Sequence, residues 1–199
     1  MFIRPGTGHP IAESLQAAAA LGDSLVFLCP RRARTFCSPY DELSERLSIV
    51  SNGIHLLVDG STGAAFLADL EANGAQVTPL FSDATEPELL AVAPRLVGFE
   101  NARLLLERFG DFWARSVASV LISSAATDAL ASHLRRNLYV EDPAGEFCLL
   151  RFHDPRVLCR LSETLFDEQA EEFFGDIIDS FLFEGPSGEL RIWSPEVRR

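Results

Sequence analysis

The chain has 199 residues, of which 47% are hydrophobic and 15 are Phe, so it can bury a core as a folded domain and is not a disordered segment. All 17 of its basic residues are Arg, and the absence of Lys excludes a Walker-type phosphate lysine and a Schiff-base lysine. The 29 acidic residues give a net charge of −12, which argues against nucleic acid as a partner because binding it requires a basic surface.

We assign the first 53 residues to a variable N-terminal segment. Its Gly and Pro residues keep the start irregular. We predict a helix over 14–21, a strand over 24–29 and a short helix over 40–47. This segment is electrically neutral, with five Arg and five acidic residues, so residues 54–199 carry the whole net charge.

From residue 54 the pattern alternates between strand and helix, and we assign 54–199 to one main domain on which the N-terminal segment packs. Predicted strands cover 54–58, 76–81, 95–99 and 116–122, and two hairpins pair 138–140 with 146–152 and 181–183 with 189–193. Predicted helices cover 61–73, 85–92, 101–109 and 123–136, and two more begin at 154 and 167. Pro79 indicates that the second strand lies at a sheet edge.

This order of elements predicts an α/β fold. Alternating strands and helices favour parallel pairs, and the hairpins add antiparallel ones, so we expect a mixed sheet with flanking helices. The C-terminal helices and hairpin complete the domain, in one body or in two small lobes.

The run from Phe147 to Leu158, FCLLRFHDPRVL, is the most informative segment of the chain. Its first four residues are apolar and predict a strand covered on both faces. Asp154 is placed to cap a helix, and Pro155 suits the first turn of that helix. Because Arg151 flanks the cap together with Arg156, we expect an Arg–Asp or Arg–carbonyl network. Such a network favours a binding function over a catalytic one.

The cysteines are the residues that could supply a catalytic nucleophile. The four Cys residues, at 29, 37, 148 and 159, contain no CxxC and match no zinc pattern. Cys148 is expected to be buried as a small hydrophobic residue. The alternative is a thiol-dependent enzyme that uses Cys148, His153 or Cys159.

Two other segments allow a functional and a structural interpretation. The turn at 59–63, DGSTG, could hold an anion, although a plain strand-to-helix turn is favoured. Residues 161–190 hold nine acidic residues and no Arg, which predicts a solvated helix face or, alternatively, a docking surface for a basic partner. No segment is long and apolar enough to span a bilayer, and the start is a poor signal peptide, so we expect the cytoplasm as the compartment.

Six segments in order resemble one known family. They are HLLVDG (55–60), TPLFSDATEPEL (78–89), PRLVGFE (94–100), LASHLRRNLYV (130–140), LLRFHDPRVL (149–158) and AEEFFGDIIDSFLFE (170–184). This order is similar to that of the adaptor or chaperone proteins that load effectors onto the spike of the bacterial type VI secretion system. The resemblance covers 54–183, so the role of 1–53 stays open.

The resemblance implies a non-enzymatic cytoplasmic adaptor with no cofactor, no metal and no catalytic residue. Such a protein binds an effector toxin and the VgrG spike protein. By analogy the partner-binding cleft involves the junction and the aromatic pair after it, namely Arg151, His153, Asp154, Arg156, Phe173 and Phe174. An immunity-like protein that binds the toxin without the spike is the alternative.

Two departures from the family pattern bear on partner specificity. His153 stands where the family usually has Tyr, and the Trp-rich segment before the central strand is here DFWARS, at 111–116.

We expect the junction residues to be mainly structural, so that Arg156→Ala lowers the melting temperature.

Overall fold

The computed structural model describes residues 38–50, 53–81, 86–142 and 144–195. The helix predicted over 14–21 and the strand predicted over 24–29 lie outside these residues. The helices are α1 (Pro39–Ser48), α2 (Ala64–Ala72), α3 (Pro87–Val92), α4 (Ala102–Glu107), α5 (Phe109–Phe112), α6 (Thr127–Arg136), α7 (Pro155–Thr164) and α8 (Asp167–Phe174). The strands are β1 (Ile54–Val58), β2 (Val77–Pro79), β3 (Arg95–Phe99), β4 (Ala118–Ile122), β5 (Tyr139–Glu141), β6 (Phe147–Leu149), β7 (Ser180–Glu184) and β8 (Leu190–Trp193).

The sheet has six strands in the order β2-β3-β1-β4-β7-β8, and β5 and β6 form a separate two-stranded hairpin. The α/β class is confirmed, and Pro79 lies in an edge strand as predicted. Every pairing between described strands is antiparallel, so the expected parallel pairs are not formed. The connections from β1 to β2 and from β3 to β4 join strands of like direction that are not neighbours, because β3 lies between β1 and β2 and β1 lies between β3 and β4. The connections from β2 to β3 and from β4 to β7 join neighbours that run in opposite directions.

Both faces of the sheet are covered. β1 and β4 are buried at every position, and their side chains alternate between two cores. Leu56 points into the core formed with α1, α2, α4 and α5. Leu57 points into the core formed with α6, α7, α8 and the hairpin. Each fully buried side chain of this kind contributes about 1.5–3 kcal/mol to folding.

Two predicted helix starts are wrong, because the polar groups at the predicted starts form other hydrogen bonds. α2 begins after Gly63 and not at Ser61, whose N–H donates to Asp59. α6 begins after Ala126, while the Ser123 hydroxyl donates to the Ile177 carbonyl at 2.6 Å. α8 begins at Asp167 as predicted, but the residue in its N-cap position is Phe166, whose N–H donates to Oε1 of Gln169 at 2.9 Å.

The segment predicted as one helix over 101–109 is two short helices, α4 and α5. Asn101 caps the first by accepting a hydrogen bond from the Leu104 N–H at 3.2 Å. The second, α5, contains Gly110. The final hairpin, β7 with β8, is confirmed.

Gly175 ends α8 in a backbone conformation, φ 55° and ψ −163°, that is almost restricted to glycine. A Cβ atom there would lie 2.9 Å from Cε1 of His133, whose Nε2 donates to the Phe173 carbonyl at 2.8 Å. We expect Gly175→Ala to lower the free energy of unfolding by about 1–3 kcal/mol. Gly188→Ala is the matched control, because Gly188 also has positive φ but a Cβ atom there would meet no other atom within 4 Å. If urea denaturation gave both variants the same loss in free energy of unfolding, the close approach to His133 would contribute nothing to the cost of Gly175→Ala.

Candidate functional site

The junction between β6 and α7 carries the polar residues that the sequence singled out. Asp154 caps α7, with Oδ1 accepting from the Arg156 N–H at 2.9 Å. The same oxygen accepts from Nε of Arg156 at 2.9 Å, and Oδ2 accepts from Nη2 at 2.7 Å. The predicted cap and the predicted Arg–Asp pairing are therefore confirmed. Asp154 is buried, whereas the Arg156 side chain is 68% exposed.

A second buried carboxylate, Asp59, joins this junction from the other end of the sequence. It follows β1 and is 1% exposed. Its Oδ2 accepts a hydrogen bond from Nη2 of Arg151 at 2.9 Å, across 92 residues of chain. Its Oδ1 accepts from the N–H and the hydroxyl of Ser61 at 2.8 and 2.6 Å. Nη2 of Arg151 also lies 3.8 Å from Oδ2 of Asp154, so one guanidinium bridges the two carboxylates.

We call Asp59, Arg151, Asp154 and Arg156 the Asp–Arg cluster. Burial would raise the pKa of Asp59, but hydrogen bonds from Ser61 and Arg151 hold that pKa below its usual value. Burial acts in the same way on Asp154, and the hydrogen bonds from Arg156 again lower its pKa. Both carboxylates are thus held ionised. The cluster joins the end of β1 to the start of α7 by charge-assisted hydrogen bonds.

His153 lies beside the cluster but takes no part in its hydrogen bonds. Its ring is buried against Phe152, with the ring centroids 6.3 Å apart, and its Nδ1 has no hydrogen-bond partner. Burial lowers the pKa of His153, although the charge of Asp59 acts in the opposite direction. The neutral ring is therefore a packing residue of this junction.

The buried histidines predict a loss of stability in mild acid. Burial lowers the pKa of His55, His133 and His153 from 6.5, the value expected in the unfolded chain. Their contribution to stability is therefore fully present above pH 6.5 and is lost as pH falls below it, because the unfolded chain binds more protons. We expect the melting temperature to fall between about pH 7.5 and about pH 5.5. The lowered pKa values of Asp59 and Asp154 extend the loss below their ordinary value of 3.8.

His133→Gln and His153→Gln serve as controls for this prediction. The net charge of −12 also changes over the same pH range, so these variants isolate the histidine contribution. Each should show a smaller fall in melting temperature than the unmodified chain. A melting temperature that stays constant or rises towards pH 5.5 would contradict the prediction.

The exposure of Arg156 sets the size of its contribution to stability. We expect Arg156→Ala to lower the free energy of unfolding by less than about 1 kcal/mol, because an exposed ion pair is weakened by solvent. Asp154→Ala also removes the cap of α7 and should cost about 1–2 kcal/mol. Thermal denaturation of both variants tests this order. Unchanged stability together with lost partner binding would show that the junction is a recognition site.

The glycines of the turn at 59–63 have a packing role. A Cβ on Gly60 would lie 2.0 Å from the Ala93 carbonyl oxygen, and one on Gly63 would lie 2.6 Å from Cγ1 of Val58. The Ser61 N–H, which an anion would need, already donates to Asp59. The turn therefore matches the plain strand-to-helix interpretation that the sequence favoured.

The two described thiols lie in different environments. Cys148 is exposed, which corrects the prediction of a buried residue in a doubly covered strand. Cys159 is buried, and burial together with nearby Glu163 raises the pKa of its thiol. Its Sγ lies 3.8 Å from Oε1 of Glu163, and within the described part of the chain neither thiol hydrogen-bonds to His153.

Phe173 and Phe174 are completely buried. Phe173 stacks on Trp193 with ring centroids 5.3 Å apart, and Phe174 meets the same ring edge-on at 4.8 Å. This corrects the prediction that the pair lines a partner cleft. The exposed face of α8 instead carries acidic residues at 167, 168, 171 and 172, as a solvated helix face requires.

Neither a metal centre nor a membrane span is found in the described ranges. No three or more His, Cys, Asp or Glu side chains of 38–50, 53–81, 86–142 and 144–195 are grouped so that they could hold a metal ion. Among the helices of those same ranges, none has the length and apolar character needed to cross a bilayer.

Fold and site together define a three-layer α/β domain whose central sheet is joined to its C-terminal helical layer by the Asp–Arg cluster, in which both carboxylates are buried. The chain belongs to the family described as Domain of unknown function (DUF4123), whose model matches residues 54–172. The match covers more than half of the chain and includes every residue of the cluster. No curated protein and no solved structure gave a match.

Proposed function

We propose that this protein is a non-enzymatic adaptor that binds a type VI secretion effector and helps load it onto the VgrG spike, acting in the cytoplasm. The observation that carries the proposal is the family match over residues 54–172, which contains five of the six segments whose order resembles these adaptors and begins the sixth. The match itself establishes the family and is consistent with this role. The effector and the spike are inferred from the resemblance.

The geometry of the motif residues supports a binding role. Asp59, Arg151 and Asp154 hold the sheet to α7, and Gly60 allows close packing of two backbone segments. These residues therefore build a rigid domain. Recognition of a partner is left to the exposed surface, which is rich in acidic groups and carries several exposed aromatic and aliphatic side chains.

Co-purification tests the proposal. The full chain is tagged and expressed in its bacterium, and proteins encoded by neighbouring genes are identified among those recovered. Mixing the tagged lysate with a lysate from cells that lack the tagged chain is the control for association after lysis. Recovery of both a VgrG-like spike and a toxin supports the adaptor.

Two other outcomes would contradict the proposal. Recovery of the toxin alone, with protection of a toxin-expressing cell by this chain, favours the immunity-like protein. Recovery of neither would remove the adaptor and leave the thiol-dependent enzyme to be tested by alkylating Cys148 and Cys159.

A further inference from the structure

The outer strand of the β5–β6 hairpin, β6, is exposed on both of its faces. Cys148 of β6 lies opposite Val140 of β5 in the register. Val140 is 2% exposed and belongs to the core, whereas Cys148 is exposed. The hairpin is therefore attached to the domain through β5, and β6 lies outermost. Leu150, which follows β6, returns the chain to the core.

The main-chain groups of β6 face outward at two positions. The Leu150 N–H donates to the Leu138 carbonyl, and the Asp142 N–H donates to the Glu146 carbonyl, each at 2.8 Å. Because inward and outward pairs alternate along an antiparallel ladder, the N–H and C=O groups of Phe147 and Leu149 point away from β5. Within the described part of the chain, β6 pairs with no strand other than β5.

The side chains at the same two positions are large, apolar and exposed. Phe147 is 55% exposed and Leu149 is 41% exposed. Leu149 lies opposite Tyr139, which is also exposed, so the three side chains share one face of the hairpin. An outermost strand that combines free main-chain groups with an apolar face is a template for pairing with another chain.

Charge selects the kind of chain that can pair there. Glu141, Asp142 and Glu146 lie on the hairpin, and no Arg occurs between residues 137 and 150. A second copy of this protein would bring two such hairpins and two net charges of −12 together, which electrostatic repulsion opposes. A segment that carries Lys or Arg beside its apolar residues would be attracted.

We infer that β6 is a docking strand to which an extended segment of a partner protein adds by β-strand pairing. The segment hydrogen-bonds to the main chain of Phe147 and Leu149, places apolar side chains at alternate positions against their side chains, and carries basic residues that face Glu141 and Glu146. This inference rests on the proposed function, because the partner it concerns is the effector that co-purifies with the chain.

The test compares variants of the full chain in the co-purification. In Phe147→Thr with Leu149→Thr, both residues keep a strong strand propensity and lose their apolar contact area. Leu149→Pro removes an outward N–H. The matched control is Leu89→Thr with Leu104→Thr, because both of these leucines are exposed on helices far from β6 in sequence. We expect the two β6 variants to recover at least about tenfold less effector, and the control to recover as much as the unmodified chain.

Photo-crosslinking from Phe147→p-benzoylphenylalanine identifies the occupant. A crosslink to an effector segment with alternating apolar residues and adjacent Lys or Arg supports the inference. Crosslinks only to a second copy of this chain, or only to its own residues 1–37, would overturn it. Full effector recovery by both β6 variants would overturn the docking strand and leave the adaptor intact, whereas no effector recovery by the unmodified chain would overturn both.

Discussion

Asp59→Ala is expected to lower the free energy of unfolding by about 2–4 kcal/mol. The carboxylate is 1% exposed and accepts three hydrogen bonds, two from Ser61 and one from Arg151. Alanine would leave the turn after β1 without its internal acceptor and Arg151 without its closest carboxylate. Urea denaturation measures the loss directly, because the change in midpoint at constant slope reports stability.

Arg151→Ala is the control for this prediction. The Arg151 side chain is 47% exposed, and without it Asp59 keeps both hydrogen bonds from Ser61, so the cost should be smaller than that of Asp59→Ala. The double variant Asp59→Ala with Arg151→Ala gives the coupling energy of the pair. If Asp59→Ala were as stable as the unmodified chain but no longer bound a partner, the cluster would be a recognition site and its structural role would be wrong.

Phe173→Ala is expected to cost about 3–5 kcal/mol. The ring is completely buried, stacks on Trp193 at 5.3 Å and on Phe181 at 5.8 Å, and meets Phe152 edge-on at 5.4 Å. Removing it would leave a cavity between α8, the sheet and the loop before α7. Thermal denaturation followed by near-ultraviolet circular dichroism reports both the stability and the aromatic packing.

Phe166→Ala is the matched control, because Phe166 immediately precedes α8 and its side chain is exposed. We expect a change within about 0.5 kcal/mol for this variant. The opposite order of effects would contradict the burial of Phe173 in the core.

Local patterns predicted the elements that depend on neighbouring residues. β1 and β3 have the predicted ranges, because a short apolar run bounded by turn residues has few alternatives. The Asp154 cap and Pro155 were recognised because capping depends on residues within one helical turn. Helices were predicted to start at Ser61 and Ser123 on the same logic, and both predictions were wrong. The Ser61 hydroxyl donates to the Asp59 carboxylate, and the Ser123 hydroxyl donates to the Ile177 carbonyl.

The candidate site was only half predictable. Arg151, Asp154 and Arg156 adjoin one another in sequence, so an Arg–Asp network could be expected there. Asp59 was missed as a member because it lies 92 residues before Arg151. The only signal was a polar Asp-Gly directly after a fully apolar strand, which also describes an ordinary turn.

The exposure of apolar side chains could not be predicted from their hydrophobicity. Phe147, Cys148 and Leu149 form an apolar run typical of a buried strand, yet all three are exposed because their hairpin packs through β5 alone. Phe173 and Phe174 have the same apolar character and are completely buried. An apolar side chain stabilises the fold when it is buried. Whether it is buried depends on where its helix or strand lies in the fold.

By itself, the sequence determined the α/β class, most of the element positions from 54 onward and the polar junction before α7, because periodicity, capping and turn chemistry act over a few residues. Only the tertiary structure decided that β3 lies between β1 and β2, that Asp59 accepts from Arg151, and that β6 lies outermost. These features join segments far apart in the chain, where packing and pairing of whole elements select the partner.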